Sequence, residues 1–150
     1  MARRFALPRL VVATHNRGKA GEIRTMLAPF GVEIVSAGDL GLPAPDETGT
    51  TFEDNATLKA LAAVRASGLP SLADDSGLSV HALDHQPGVY TADWEGPPRD
   101  AMVGMRRIQD ELAARNVPRT DAARVATFHC VLALAWPDEQ PVVPAGEWSA

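Results

Sequence analysis

The feature that most constrains the fold is an apolar run that passes through a short polar turn into an amphipathic helix. Residues 10–13 are apolar and partly β-branched, which is typical of a buried strand. The apolar positions between 23 and 30 recur at helical spacing, and Gly31 supplies a stop for that helix. Residues 32–35 then alternate like a second strand. Strand, helix and strand in close succession indicate layered α/β architecture.

A second helix is predicted over the alanine-rich segment that follows a loop at 36–49 rich in Gly, Pro and acids. Thr50 and Glu53 form a capping-box pattern at its start, and Gly68 marks its end. The high helix propensity of the alanines makes this a long helix.

The remaining elements complete a mixed sheet. Two short strands are predicted on either side of a turn at 74–77, followed by a third helix at 105–116 and a long strand at 125–136. Residues 141–147 are the predicted hairpin partner, confined by two prolines to a sheet edge or a bulge. We therefore expect one α/β domain over residues 1–150, with a mixed central sheet flanked by helices.

Composition narrows the classes of function. The 19 acidic and 14 basic residues give a formal net charge of −5, which offers no general attraction to nucleic acid or anionic lipid. The single Cys130 excludes an internal disulfide and a multi-cysteine zinc site. Pro8 and Arg9 interrupt the amino terminus before it could form a signal peptide, and no apolar run approaches the length of a membrane span. We expect a soluble cytoplasmic protein.

The first candidate site is the polar turn between the first strand and the first helix. Free N–H groups and the positive end of the helix dipole favour a phosphate there. Gly18 permits close approach of the backbone, and Lys19 adds a compact positive charge. The turn matches neither the P-loop nor the dinucleotide pattern, so an ordinary polar turn is an equal alternative. The candidate substrate-binding residues are Thr14, His15, Asn16, Arg17, Gly18 and Lys19.

The second candidate site is acidic, with Asp46 and Glu47 in the loop and Asp74 and Asp75 after a strand. Mg²⁺ prefers carboxylate oxygens, water and substrate phosphate, so acids that converge near the polar turn would bind it. Side chains alternate along a strand, so we expect only one of Asp74 and Asp75 to face the metal. The competing interpretation is that these acids are solvated turn formers.

Lys59 lies four residues after Asn55 on the second helix, so the two share a face and Lys59 is a candidate phosphate ligand. An ordinary exposed lysine is the alternative. His81 and His85 have the spacing of a zinc-binding helix but lie in a strand-to-loop region, so we reject a zinc site. We interpret His129 and Cys130, inside the long strand, as packing residues.

Five motifs follow one another in fixed order between about Leu10 and Trp148. They are Thr14-His15-Asn16-Arg17-Gly18-Lys19, Glu47-Thr48-Gly49 with Thr51-Phe52 and Asn55-Ala56 to Lys59-Ala60, Ala73-Asp74-Asp75-Ser76-Gly77-Leu78, Pro87-Gly88-Val89-Tyr90, and Phe128-His129-Cys130-Val131. In this order they resemble the family of inosine/xanthosine triphosphate pyrophosphatases. That resemblance implies a cleft for a purine nucleoside triphosphate and Mg²⁺-dependent hydrolysis of ITP, dITP or XTP to the monophosphate and pyrophosphate, which cleanses the nucleotide pool. It also implies a homodimer.

The resemblance also implies roles for single residues. Asn16 and Lys19 would contact the triphosphate, as would Lys59, and Ser76 would lie beside the nucleotide. The metal would be held by Asp46 or Glu47, together with Asp75, which would also activate water. These implied roles make Asp75 and Lys19 the candidate catalytic residues.

Two departures from the family pattern limit these implications. Asp93 stands where the family often has arginine, so no role is carried to it. Family members continue past Trp148 with segments that grip the base, so we expect a carboxyl-terminally incomplete domain. A nucleotide-binding module without catalysis, and a chain that is stable only in association, therefore remain as alternatives.

Overall fold

The computed structural model describes residues 4–138 and the backbone of residues 145–148. The strands are β1 (Arg9–Val12), β2 (Glu33–Ser36), β3 (Ser71–Val80), β4 (Gln86–Pro87), β5 (Ala126–Ala135) and β6 (Ala145–Trp148). The helices are α1 (Arg17–Leu27), α2 (Phe52–Ser67), α3 (Thr91–Glu95) and α4 (Ala101–Ala114).

The strands form one mixed sheet in the order β2-β1-β3-β5-β6, with β4 paired to the far end of β3. The three strands β2, β1 and β3 are parallel, whereas β5 and β6 are antiparallel to their neighbours. The predicted α/β fold with a mixed central sheet is confirmed. Within the described part of the chain, no helix has the length and apolar character needed to cross a membrane.

Helices cover both faces of the sheet. On one face, the alanines of α2 lie against small and branched side chains of β3 and β5, including Ala73 and Val131. Small residues on both sides let the helix approach the sheet closely. On the other face, α1 covers β1 and β2 through Ile23 and Leu27, and α4 covers the far end of β3 through Leu112.

Three sequence-based predictions of secondary structure were wrong or incomplete. Residues 74–77 are not a turn, because β3 pairs with β5 without interruption from Ser71 to Val80. The amino cap of α2 is Thr51, whose hydroxyl accepts the Asp54 N–H, and not Thr50. Helix α3 was not predicted. The predicted hairpin partner is present as β6, although residues 141–144 lie outside the described residues.

Among the described residues, no strand pairs with part of the β3 edge that faces β1. β1 pairs with β3 only at Ser71 and Leu72, and β4 pairs only at Ser79 and Val80. Leu72 directs its carbonyl to this edge and Leu78 its N–H, so alternation places the main-chain groups of Asp74 and Ser76 there too. A stretch of sheet edge is therefore available to a ligand.

Candidate functional site

A cleft of about 590 Å³ lies beside this open edge of β3. Its volume is within the range of small-molecule sites. Its wall is formed by the end of β1, the start of α1, the loop before α2, one side of α2 and the middle of β3. Its polar lining residues are Thr14, His15, Asn16, Lys19, Glu47, Lys59, Asp74, Asp75, Ser76 and Arg99.

The turn after β1 is held by its own side chains. Asn16 caps α1 by accepting the Lys19 N–H at 3.1 Å, and Thr14 Oγ1 accepts the Asn16 N–H at 3.1 Å. His15 Nε2 lies 2.6 Å from the Leu42 carbonyl oxygen, which ties the turn to the loop across the cleft. The start of α1 is therefore fixed at the cleft, where the helix dipole favours an anion.

Lys59 lies between two carboxylates on the opposite wall. Its Nζ atom is 3.0 Å from Asp75 Oδ1 and 3.1 Å from Glu47 Oε1. Burial lowers the pKa of Lys59, but the Asp75 and Glu47 carboxylates more than offset this and leave that pKa above its usual value. Burial also raises the pKa of Asp75, and the Lys59 ammonium cancels only part of that rise because Glu47 adds repulsion. The three groups carry one net negative charge.

A divalent metal fits this cluster. Asp75 Oδ2 is buried and accepts no hydrogen bond of good geometry from the described residues, although the nearby Asn55 side chain lowers the Asp75 pKa. A buried carboxylate oxygen ordinarily has a partner. The Glu47 side chain is 40% exposed and lies on the other side of Lys59 from Asp75. No group of three or more His, Cys, Asp or Glu side chains among the described residues is arranged to hold a metal alone. Mg²⁺ needs only one or two carboxylates when a phosphate supplies further oxygens.

The structure brings most of the predicted site residues together. Thr14, His15, Asn16, Lys19, Glu47, Lys59, Asp75 and Ser76 all line the cleft. Arg17 and Gly18 open α1 beside the cleft without lining it, and the exposed Asp46 lies outside the lining. Of the two loop acids, Glu47 is therefore the one that lines the cleft.

Three polar residues of the site received no role from the sequence. Asp74 lines the cleft and holds Lys19, although it points to the sheet face opposite Asp75. Both acids reach the cleft because it lies at the strand edge, where the two faces of the sheet meet. Arg99, paired with Glu95, comes from a distant segment and had no local signal. Asn55 is buried, accepts the Gly49 N–H and donates to the Gly49 carbonyl oxygen. Its place on the same helix face as Lys59 could have indicated that it lies near the site.

The histidines of the chain lie elsewhere. His81 and His85 lie side by side with ring centroids 4.9 Å apart, and His81 Nε2 is 2.9 Å from Thr127 Oγ1. His129 stacks on Phe52 at 4.7 Å and hydrogen-bonds Ser79, whereas Cys130 is half-buried. The packing role predicted for His129 agrees with these contacts.

Together, the fold and the cleft define an α/β protein whose site suits an oxygen-rich anion bound with a hard cation. The sequence profile of the Ham1 family matches residues 10–150. The chain belongs to the Ham1 family, which confirms the predicted family.

The relatives of the chain agree with this assignment. It is 51% identical over 140 residues to a dITP/XTP pyrophosphatase of Ruegeria pomeroyi, covering 92% of this chain and 67% of that protein. A dITP/XTP pyrophosphatase of Rhodospirillum centenum is 55% identical over 136 residues, covering 91% and 66%. A solved Ham1 protein from Coxiella burnetii superposes with a TM-score of 0.82 at 33% identity, covering 95% and 71%. The chain thus spans about two thirds of the length of these relatives.

Proposed function

We propose that this chain hydrolyses non-canonical purine nucleoside triphosphates, such as ITP, dITP and XTP, to the monophosphate and pyrophosphate. The observation that carries the proposal is the convergence of Lys59, Glu47 and Asp75 with Lys19 and the start of α1 in one cleft. The names of relatives about 50% identical support the substrate class. In the cell, this reaction would remove such nucleotides from the cytoplasmic pool.

The charges of the cleft support a metal requirement. Its cations are Lys19, Lys59 and Arg99, and each of them is already paired with a carboxylate. A triphosphate would therefore add several negative charges to a site with no surplus positive charge among its described lining residues. Mg²⁺ held by Glu47 and Asp75 would neutralise that charge and polarise the phosphate.

The reaction that fits the cleft is attack of water on the α-phosphorus, with pyrophosphate leaving. Lys59 holds Asp75 through Oδ1, and the remaining oxygen of Asp75 either ligates the metal or accepts a proton from the water. Lys19 and Lys59 donate to phosphate oxygens as charge builds on them. Asn16 keeps the start of α1 in place for the same phosphates, and Ser76 lies beside the nucleotide.

The test is to incubate the purified chain with ITP, XTP, ATP and GTP, with and without Mg²⁺, while measuring pyrophosphate separately from orthophosphate. We expect Mg²⁺-dependent release of pyrophosphate that is fastest with ITP and XTP. Asp110→Asn, on the exposed side of α4, is a matched control for carboxylate substitutions in the cleft. Orthophosphate alone would mean that another bond is cut, and binding without release would select a nucleotide-binding module.

The assembly state belongs to the same proposal. We expect a homodimer, as the family resemblance implies, and size-exclusion chromatography with light scattering measures it directly. A monomer that retains full activity would contradict the dimer without affecting the proposed reaction.

A further inference from the structure

Asp74 has no part in the reaction proposed above, yet it holds two polar groups of the cleft. Its Oδ2 atom lies 2.5 Å from Lys19 Nζ and accepts a 3.2 Å hydrogen bond from Ser76 Oγ. The Asp74 side chain is 12% exposed, whereas that of Lys19 is 40% exposed. The carboxylate is therefore the anchored member of the pair.

The anchor is rigid because of its place in the sheet. Asp74 lies within β3, which pairs with β5 through all ten of its residues. Lys19 projects from the first turn of α1, and its long side chain has many rotamers when it is unbound. A short charge-assisted hydrogen bond from the strand reduces that freedom.

We propose that Asp74 is a positioning residue that orders the Lys19 ammonium, and with it the Ser76 hydroxyl, before a triphosphate arrives. An ammonium has three N–H donors, so Lys19 keeps donors for phosphate oxygens while it is bonded to Asp74. Binding then loses less side-chain freedom. This inference rests on the proposed function, because it assumes that the ligand of the cleft is a triphosphate.

A second effect of Asp74 has the opposite sign. Its negative charge repels phosphate, so removal of the carboxylate relieves repulsion as well as releasing Lys19. The two effects differ in one respect. Positioning requires Lys19, whereas repulsion acts whether or not Lys19 is present. A double-mutant cycle on Asp74 and Lys19 therefore separates them.

The experiment measures the Kd of inorganic triphosphate with Mg²⁺ by calorimetry for the full chain, Asp74→Ala, Lys19→Met and the double variant. We expect Asp74→Ala to weaken binding about tenfold, the loss expected when one flexible side chain must be ordered on binding. In the Lys19→Met background, the same change should leave binding unchanged or tighter. Asp74→Asn keeps an acceptor oxygen and should recover part of the affinity.

Asp84→Asn is the matched control, because Asp84 pairs with Arg115 at 2.8 Å outside the cleft, and its Kd should not change. Equal weakening by Asp74→Ala in both Lys19 backgrounds would overturn the inference, since Asp74 would then act independently of Lys19. Tighter binding in both backgrounds would overturn it too, leaving repulsion alone. If the unaltered chain binds no inorganic triphosphate, the inference is overturned. Release of pyrophosphate from ITP by the same preparation would leave the proposed function standing, and no release would overturn that too. Additive losses overturn only the inference.

Discussion

Asp75 combines a buried carboxylate with an oxygen that has no partner among the described residues, and both properties affect stability. Its raised pKa means that the folded chain holds this proton more tightly than the unfolded chain does. Ionisation of Asp75 therefore destabilises the fold as pH rises above 3.8, the ordinary value, and the penalty is absent below it.

We expect Asp75→Asn to abolish turnover while the chain remains folded at pH 7. Activity needs the Asp75 carboxylate, whereas the Lys59 ammonium keeps a carboxylate partner in Glu47 when Asp75 is replaced. Pyrophosphate release and thermal unfolding at pH 7 and pH 3.5 measure the two effects. A large drop in melting temperature at pH 7 would show that Asp75 is required for folding, and lost turnover could not then be assigned to chemistry.

Glu47 and Asp46 are neighbours with different surroundings, which gives a second residue-scale prediction. Glu47 contacts Lys59 and lines the cleft, whereas Asp46 does neither. We expect Glu47→Gln to raise the Mg²⁺ concentration needed for half-maximal activity at least about tenfold, a loss typical of changes at a metal site. Asp46→Asn should leave it within about twofold, since exposed substitutions away from a site change little. A larger rise in the Mg²⁺ requirement for Asp46→Asn than for Glu47→Gln would assign the metal to Asp46.

At the scale of secondary-structure elements, β3 and the segment after β4 lie in close contact at Gly77. A Cβ atom there would lie 2.6 Å from the Gly88 carbonyl oxygen and 2.8 Å from Phe52 Cε1. Gly77→Ala should therefore lower the free energy of unfolding by about 1–3 kcal/mol, the usual cost of overpacking. Urea unfolding measures this. Gly21→Ala, with open space around it on α1, should be neutral or stabilising, and equal losses in both would contradict the packing argument.

The turn after β2 gives an element-scale prediction about pH. Hydrogen bonds from Ser36 lower the pKa of Asp39, with a smaller contribution from Arg24. A lowered folded pKa means that Asp39 adds stability above the unfolded value of 3.8, and that this stability is lost as pH falls through the folded pKa. Asp39→Asn should therefore destabilise the chain at pH 7, and by less as the pH is lowered through the folded pKa of Asp39. Asp110→Asn is the control, and a pH-independent loss would contradict the assignment.

Local patterns predicted the elements whose signals lie within one segment. The start of α1, the loop before α2 and the end of α2 at Gly68 were all evident from periodicity and turn residues. The middle of β3 was not, because Asp74 to Gly77 favour a turn locally and become strand only through pairing with β5, some fifty residues away. Arg99 likewise reaches the cleft only through the tertiary fold, which local sequence patterns do not reveal.

For the whole molecule, ligand binding should appear as added stability. A ligand that binds only the folded chain stabilises it by about 2.7 kcal/mol when present at a hundred times its Kd. We expect inorganic triphosphate with Mg²⁺ to raise the melting temperature of the chain, and triphosphate alone to raise it much less. The reason is that each cation among the described lining residues is already paired with a carboxylate. An equal shift without metal would contradict this charge argument.

The open edge of β3 also affects how the chain behaves in a concentrated solution. An unpaired strand edge is a template for another strand, and proteins commonly protect such edges with charge. Here, Asp74 and Asp75 place carboxylates on both faces of the strand at the opening. The acids that we assign to ligand binding therefore also disfavour edge-to-edge aggregation, so one short stretch of sequence serves both recognition and solubility.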